Sequence, residues 1–315
     1  MLKNSFILGL KLLFNLAGLV LYPKPSGVLF HGYMGGMQGN TLALYNYMLK
    51  DKNISHDLWW TGKNEICEMS NDPKFRATPE RKDPLVSHLR FLFFLMKFKV
   101  VICESAGDLS LYMPLVPSRS RLRVLLIHGF CLKACGVLSP ALSDKQREIW
   151  SKVGDIFDLF SVSSRLEQYM LSSTFNGPVE NFVIMGPQRA KGVLASDPSA
   201  RARSRDLIRS LYDIDILDKD QVIFYAPTHR DHESGNKRLG LFGFDDLAKL
   251  NEILCNRQSY LFIREHALAH PDSSSGMLSN VIYTNQYPNI DFSALAPSID
   301  GLITDYSGIF LEYLD

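Results

Sequence analysis

Three features of the sequence predict an α/β fold in two domains. Short apolar runs alternate with amphipathic stretches, the runs end on polar residues, and 315 residues suffice for two domains of roughly 100–200 residues each. Hydrophobic residues make up 46% and charged residues 21%, so the chain buries real cores and is neither disordered nor collagen-like. A net charge of +1 excludes a globally basic nucleic-acid binder. Five cysteines without paired spacing argue against a disulfide framework and for a reducing cytosol. Cys131 and Cys135 lie four apart, but no second Cys or His pair completes a zinc site, so no metal is expected.

The first element is an apolar helix over residues 5–22, SFILGLKLLFNLAGLVLY, ended by Pro23 and Pro25. At 1.5 Å per residue it reaches about 27 Å, just short of the usual spanning length. No Asp or Glu precedes Asp51, whereas Lys3, Lys11, Lys24 and Lys50 do. Three placements compete: a helix lying in the membrane interface with its lysines on anionic headgroups, a single span or signal anchor, or a helix packed on the protein's own core. No clear A-x-A site marks a cleaved signal peptide. Membrane contact is the favoured reading, with the chain at the cytoplasmic face as a peripheral or singly anchored protein.

GVLFHG (27–32) reads as a buried strand, YMGGMQGN (33–40) as a Gly-rich loop, and TLALYNYMLK (41–50) as a helix with Asn40 as its N-cap. DLWWTG (57–62) follows as a strand, and PLVSHLRFLFFLMKF (84–98) as a helix that is buried or membrane-facing. VVICES (100–105) and RVLLIHG (123–129) are strands that end in polar residues. DIFDLFSVSS (155–164) opens a further strand-to-helix unit and NFVIMGPQRA (181–190) another strand. Residues 187–209 then turn arginine-rich, with Arg189, Arg201, Arg203, Arg205 and Arg209, and read either as a solvated linker and helix face or as a basic patch for phosphate or membrane.

A domain boundary is placed there, giving a membrane-associating helix (1–24), an N-terminal domain (25–186) and a C-terminal domain (187–315). The second unit continues with QVIFYAPTHRD (221–231), a helix over Asp245 to Leu254, SYLFIREH (259–266), NVIYTN (280–285) and IDGLITDYSGIFLEYLD (299–315). The chain ends inside an apolar helix without a cap and so reads as a truncated product.

Strand-then-polar-end repeats place ligands at the carboxyl ends of parallel strands. Four such loops carry candidate chemistry. His128 follows RVLLI, with Lys133 shortly after, and is a general-base candidate near neutral pH or a structural histidine. Thr228, Arg230 and Asp231 follow VIFYAP; the guanidinium fork suits phosphate oxygens, unless Arg230 and Asp231 merely pair at the surface. Arg264 and His266 end the next strand and suit an anion, although Arg264 could instead pair with Glu265. Asp305, Ser307 and Gly308 follow GLIT, where a following helix start would offer backbone N–H groups to an anion or simply be capped by Ser307.

The combination HGFCLK (128–133), YAPTHRD (225–231), FIREH (262–266) and LITDYSGIF (302–310), in this order, resembles the CDP-glycerol glycerophosphotransferases, the teichoic acid primases and polymerases and their capsule-polymerase relatives. GGMQGN (35–40) resembles, more weakly, the Gly-rich segment ahead of that family's first helix, which makes Gly35, Gly36, Gly39 and Asn40 an acceptor-side loop. The resemblance runs from about Gly27 to Asp315. It implies two Rossmann-like domains in a GT-B-like fold, here with the second incomplete, the donor held mainly by the C-terminal domain, and attachment to the membrane through apolar or amphipathic helices.

It implies phosphoryl transfer from CDP-glycerol to a hydroxyl with release of CMP. His128 is then the base, His266 meets the donor phosphate, and Thr228, Arg230, Ser307 and Gly308 hold the pyrophosphate. Lys133, Asp231, Arg264 and Asp305 support them. The donor is a substrate, no cofactor is implied, and the partners are a CDP-activated polyol and a lipid-linked or polymeric acceptor.

The sequence departs from the family at three points. Phe130 and Cys131 stand where the usual loop has Thr-Pro, Gly308 replaces the second serine of DYSS, and Ala267 follows His266 in place of proline. Two other readings remain open: a GT-B glycosyltransferase using a nucleotide sugar, and an inactive fragment that binds membrane or a partner.

Overall fold

The computed structural model describes residues 2–53, 57–107, 109–117, 120–130, 134–140, 142–189, 198–226, 244–264, 278–284, 290, 292–305 and 308–312. The chain divides into two compact units, Met1–Arg189 and Ala190–Asp315. Each is built on a parallel sheet.

Unit 1 begins with helix α1 (Leu2–Leu21), then β1 (Val28–His31), α2 (Gly39–Lys50), β2 (Leu58–Gly62), α3 (Asn64–Ser70), β3 (Phe75–Ala77), α4 (Leu85–Leu95) and β4 (Val100–Cys103). It continues with β5 (Leu122–Leu125), α5 (Asp144–Trp150), α6 (Val153–Ile156), β6 (Leu159–Val162), α7 (Arg165–Phe175) and β7 (Phe182–Ile184). Among the described residues these strands form a seven-stranded sheet in the order β3-β2-β1-β4-β5-β6-β7. Every pairing is parallel, with Val28 opposite both Leu58 and Val100.

The central strands are apolar on both faces because both faces are covered. Val28, Phe30, Ile102 and Val124 pack with Tyr45 of α2 and Trp60. On the other face Leu29, Val101, Cys103 and Leu125 pack with Phe91, Leu92 and Leu95 of α4 and Leu171 and Phe175 of α7. The apolar stretch over 84–98 is therefore core in its second half, although Leu85 and Val86 at its start are exposed.

Helix α1 has two unlike faces. On one, Phe14 meets Phe93 edge-on with centroids 6.4 Å apart, and Phe14 and Tyr22 pack against the core. Gly18 lies so close to the 113–117 segment that a Cβ there would fall 2.6 Å from Pro117 Cγ, which explains a glycine where helix propensity favours alanine. The buried Arg121 locks this end: its Nη2 donates to the carbonyls of Gly18 (3.3 Å), Tyr22 (3.0 Å) and Met96 (2.8 Å). A guanidinium thus meets the carbonyl ends of two helices, where the dipole favours a cation. On the opposite face Leu12, Leu13, Leu16 and Val20 are each more than half exposed, as is Leu21 at the C-terminal end of the helix. No helix among the described residues is long and apolar enough to cross a membrane.

Unit 2 holds α8 (Pro198–Tyr212), β8 (Gln221–Ala226), α9 (Phe244–Asn256), β9 (Ser259–Ile263), β10 (Val281–Tyr283), α10 (Phe292–Leu295) and β11 (Gly301–Thr304). Its sheet among the described residues has four parallel strands in the order β10-β9-β8-β11. Three of the four arginines of α8 fold back on their own unit, while Arg203 is exposed and donates to Ser199 of the same helix. Arg205 is 1% exposed and donates to the Asp220 carbonyl (2.8 Å) and to Asp300 Oδ2 (3.5 Å). Arg201 donates to Asp300 Oδ1 at 2.6 Å, while Asp300 Oδ2 also accepts the Val222 N–H at 2.8 Å. Arg209 meets Asp206 and Asp218.

Asp300 thus ties α8 to the start of β8. Asp300→Ala leaves the buried Arg205 without its carboxylate and should lower the stability of unit 2 by about 2–3 kcal/mol. All three tryptophans (Trp59, Trp60 and Trp150) belong to unit 1. The expected result in urea is an earlier far-ultraviolet transition with an unmoved tryptophan-fluorescence transition. Coincident shifts of both would show that the network is not local to unit 2.

Candidate active site

In the larger sheet the strand order reverses between β1 and β4, so the connections leaving their carboxyl ends diverge and open a crevice there. Three segments meet at this edge. They are the loop from β1 into α2, the residues after Cys103, and those after Leu125.

Helix α2 starts at Gly39 with Gln38 as its N-cap residue, and no side chain of the cap position closes it. The expectation that Asn40 caps a helix starting at Thr41 is corrected. The carboxylate of Glu104, one residue past β4, takes the capping role from across the sheet. It accepts the Asn40 N–H at 2.8 Å, the Thr41 N–H at 3.3 Å and the Thr41 hydroxyl at 2.5 Å. A negative charge at a helix N-terminus satisfies orphan donors and the dipole together. Burial pushes the Glu104 carboxyl above its ordinary range, opposed by these hydrogen bonds and by the Arg189 charge. Gly39 makes the approach possible: its φ is +70°, and a Cβ there would lie 1.9 Å from Glu104 Oε1.

With its backbone capped by Glu104, Asn40 uses its side chain elsewhere. Its Nδ2 donates to the Ile127 carbonyl at 2.7 Å and its Oδ1 accepts the Arg189 N–H at 3.1 Å. Arg189 Nη2 donates to the His128 carbonyl at 3.0 Å. His128 itself is exposed, and its imidazole stacks on the Tyr33 ring with centroids 4.6 Å apart and 29° between planes. Tyr33 is held in a 3-10 turn, Tyr33–Gly35, in which the Gly36 N–H donates to the Tyr33 carbonyl and the Gly35 carbonyl accepts the Lys63 N–H, both at 2.9 Å. His31, at the end of β1, is buried, which lowers its pKa to about 4 and keeps it neutral near pH 7.

The edge of unit 1 therefore gathers His128, Gly35, Gly36, Gly39 and Asn40. In unit 2, Arg264 follows β9, donates its N–H to the Tyr225 carbonyl at 2.9 Å and lays its guanidinium 5.9 Å from the Phe292 ring centroid. Asp305 is exposed after β11, and Gly308 starts a 3-10 turn, Gly308–Glu312, where an α-helix was expected. So short a turn carries little aligned dipole. Lys133, Thr228, Arg230, Asp231, His266 and Ser307 lie outside the described residues, as do Cys131 and Glu265. Among the described residues no three His, Cys, Asp or Glu are grouped to hold a metal ion.

Sequence reasoning missed Glu104 and Tyr33 and put Arg189 to a different use. The available signal for Glu104 was a carboxylate ending an apolar strand in a chain whose helix after β1 lacks an acidic cap of its own.

His31 gives a pH prediction. Its folded pKa lies below the unfolded value of about 6.5, so the unfolded chain takes up the proton first. Stability should fall as pH drops from 6.5 towards 4, by up to about 3 kcal/mol from this residue. Glu104, with its folded pKa raised, acts in the opposite sense. The measurement is accordingly the difference in urea midpoints between wild type and His31→Gln across that range. A flatter acid limb in the variant is expected, and parallel curves would show that His31 is not held neutral.

Comparisons with known proteins agree with this architecture. The family model described as CDP-Glycerol:Poly(glycerophosphate) glycerophosphotransferase matches residues 14–315. No curated protein matches. Among solved structures, the wall teichoic acid polymerase TagF superposes with a TM-score of 0.71 at 21% identity, over 99% of this chain and 74% of that one. A TagF variant soaked with CDPG gives 0.72 at 20% identity over the same shares. The UDP-GlcNAc 2-epimerase of Neisseria meningitidis, bound to UDP-GlcNAc, gives 0.52 at 14% identity over 90% of this chain and 78% of that one. At such identities these likenesses establish the fold, two parallel α/β units of the GT-B-like kind. The match across nearly the whole chain establishes the lineage: the protein belongs to the CDP-glycerol:poly(glycerophosphate) glycerophosphotransferase family.

Proposed function

We propose that this chain transfers glycerol phosphate, or a related polyol phosphate, from its CDP-activated form to a hydroxyl acceptor in the synthesis of a teichoic acid or capsule-type polymer. The observation that carries the reading is an exposed histidine on a braced turn at the carboxyl end of β5, in a chain of this family. In the reaction the acceptor oxygen attacks the glycerol-bearing phosphorus. The new P–O bond forms as the bond to the CMP phosphate breaks, His128 takes the hydroxyl proton, and CMP leaves. The stack on Tyr33 limits rotation of the imidazole, which favours a fixed direction for the accepting nitrogen. The family resemblance assigns Thr228, Arg230, Ser307, Gly308 and His266 to the donor phosphates, with Lys133, Asp231, Arg264 and Asp305 in support.

The test is CMP release from CDP-glycerol by wild type and His128→Ala in the presence of acceptor-bearing membranes. Turnover should fall by about 10²–10⁴-fold in the variant while CDP-glycerol binding, read by calorimetry, stays largely intact. Equal loss of binding and turnover would make His128 structural, and a response to UDP-sugars alone would move the reading to a glycosyltransferase.

The same reading places the protein on the cytoplasmic face of the membrane, docked through α1. The support is its exposed stripe of Leu12, Leu13, Leu16 and Val20, opposite a face already committed to the core, with Lys11 and Lys24 also exposed on the same segment. Apolar burial with basic flanks is how an interfacial helix holds an anionic bilayer. Changing Leu12, Leu13, Leu16 and Val20 together to Gln leaves Phe14, Gly18 and Tyr22 in place. It should abolish co-flotation with phosphatidylglycerol vesicles without lowering the melting temperature. Undiminished flotation would assign membrane contact to another surface.

A further inference from the structure

We infer that Asn40 is a positioning residue for His128. The inference rests on the reading of His128 as the base and names how that base is held.

The turn after β5 is strained. Ile127 has a φ of 60°, a left-handed conformation that a β-branched side chain adopts only when its surroundings impose it. The imposing group is the Asn40 amide, which holds the Ile127 carbonyl at 2.7 Å from one side. From the other, Asn40 Oδ1 receives the Arg189 N–H, and Arg189 passes the restraint on to the His128 carbonyl at 3.0 Å. Asn40 thus holds the Ile127 carbonyl directly and the Arg189 backbone, whose own guanidinium holds the His128 carbonyl, and Asn40 is only 2% exposed.

Asn40 is the second residue of α2, past the Gln38 N-cap, and the Asn40 and Thr41 N–H groups are taken by Glu104, which Gly39 admits by lacking a Cβ. The Asn40 side chain has no part in capping the helix, and its two amide atoms reach Ile127 and Arg189 instead.

The experiment measures kcat and KM for CDP-glycerol in Asn40→Ala and in Asn40→Asp. The second keeps the size and the acceptor towards Arg189 but loses the donor towards Ile127. Both should lose about 10–10²-fold in kcat with KM little changed. In a His128→Ala background, Asn40→Ala should cause no further loss of the residual rate. Unchanged kcat in either variant, or losses that multiply in the double variant, would overturn the inference. If Asn40→Ala fails to fold, Asn40→Asp alone decides. If wild type releases no CMP, the function reading fails separately, and the positional claim is still read by His128 modification with diethyl pyrocarbonate, followed by peptide mass spectrometry. A several-fold change in that rate in Asn40→Asp is expected, and an unchanged rate would refute it.

Discussion

The carbonyl-end edge of unit 1 depends on one carboxylate placed against one helix start. Glu104 stands at the end of a central strand, and α2 begins with backbone N–H groups that nothing local satisfies. Their meeting fixes α2 against β4, which pairs with β1 at the point where the sheet order reverses. It also fills with the protein's own carboxyl group the helix N-terminus that in many α/β folds receives a ligand phosphate. In the proposed reaction the phosphates accordingly fall to unit 2, and this edge of unit 1 serves the acceptor and its proton.

The arginines follow a common plan in both units. Arg121 gathers carbonyls from the ends of α1 and α4. Arg205 gathers the carbonyl of Asp220 and the carboxylate of Asp300. Arg123 grips Asp158 through two nitrogens, at 3.0 and 2.7 Å. A planar guanidinium suits this work because its donors diverge in fixed directions and it stays charged when partly desolvated. Of the basic residues that read as a patch in the sequence, Arg205 is consumed as an internal fastener, and Arg201 and Arg209 pair with carboxylates of their own unit. Lys11 within α1 and Lys24 just after it are exposed and would provide the charge for the proposed lipid contact.

Much of the fold was legible because its signals are local. Apolar runs such as VLF and VVIC sit between covered faces, so strand position follows from composition alone, and Pro23 and Pro25 stop α1 where expected. The short α3 and β3 went unread, since seven and three residues carry too little periodicity to stand out. Of the site, His128 was legible as a histidine after a strand. Its environment was not, because Tyr33, Asn40 and Arg189 are far from it in the chain and meet it only when β1, β5 and β7 line up.

The sequence by itself determined the α/β class, the family, the strand-end positions of the candidate residues and the unusual N-terminal helix, since each rests on composition, spacing or motif. Only the tertiary structure decided which face of α1 is committed to the core, that Arg205 of α8 turns inward, and that Asn40 holds a turn instead of capping a helix. The physical reason is the same in all three cases. A side chain's partner is chosen by which donors and acceptors burial leaves nearest to it, and those come from segments the sequence keeps far apart.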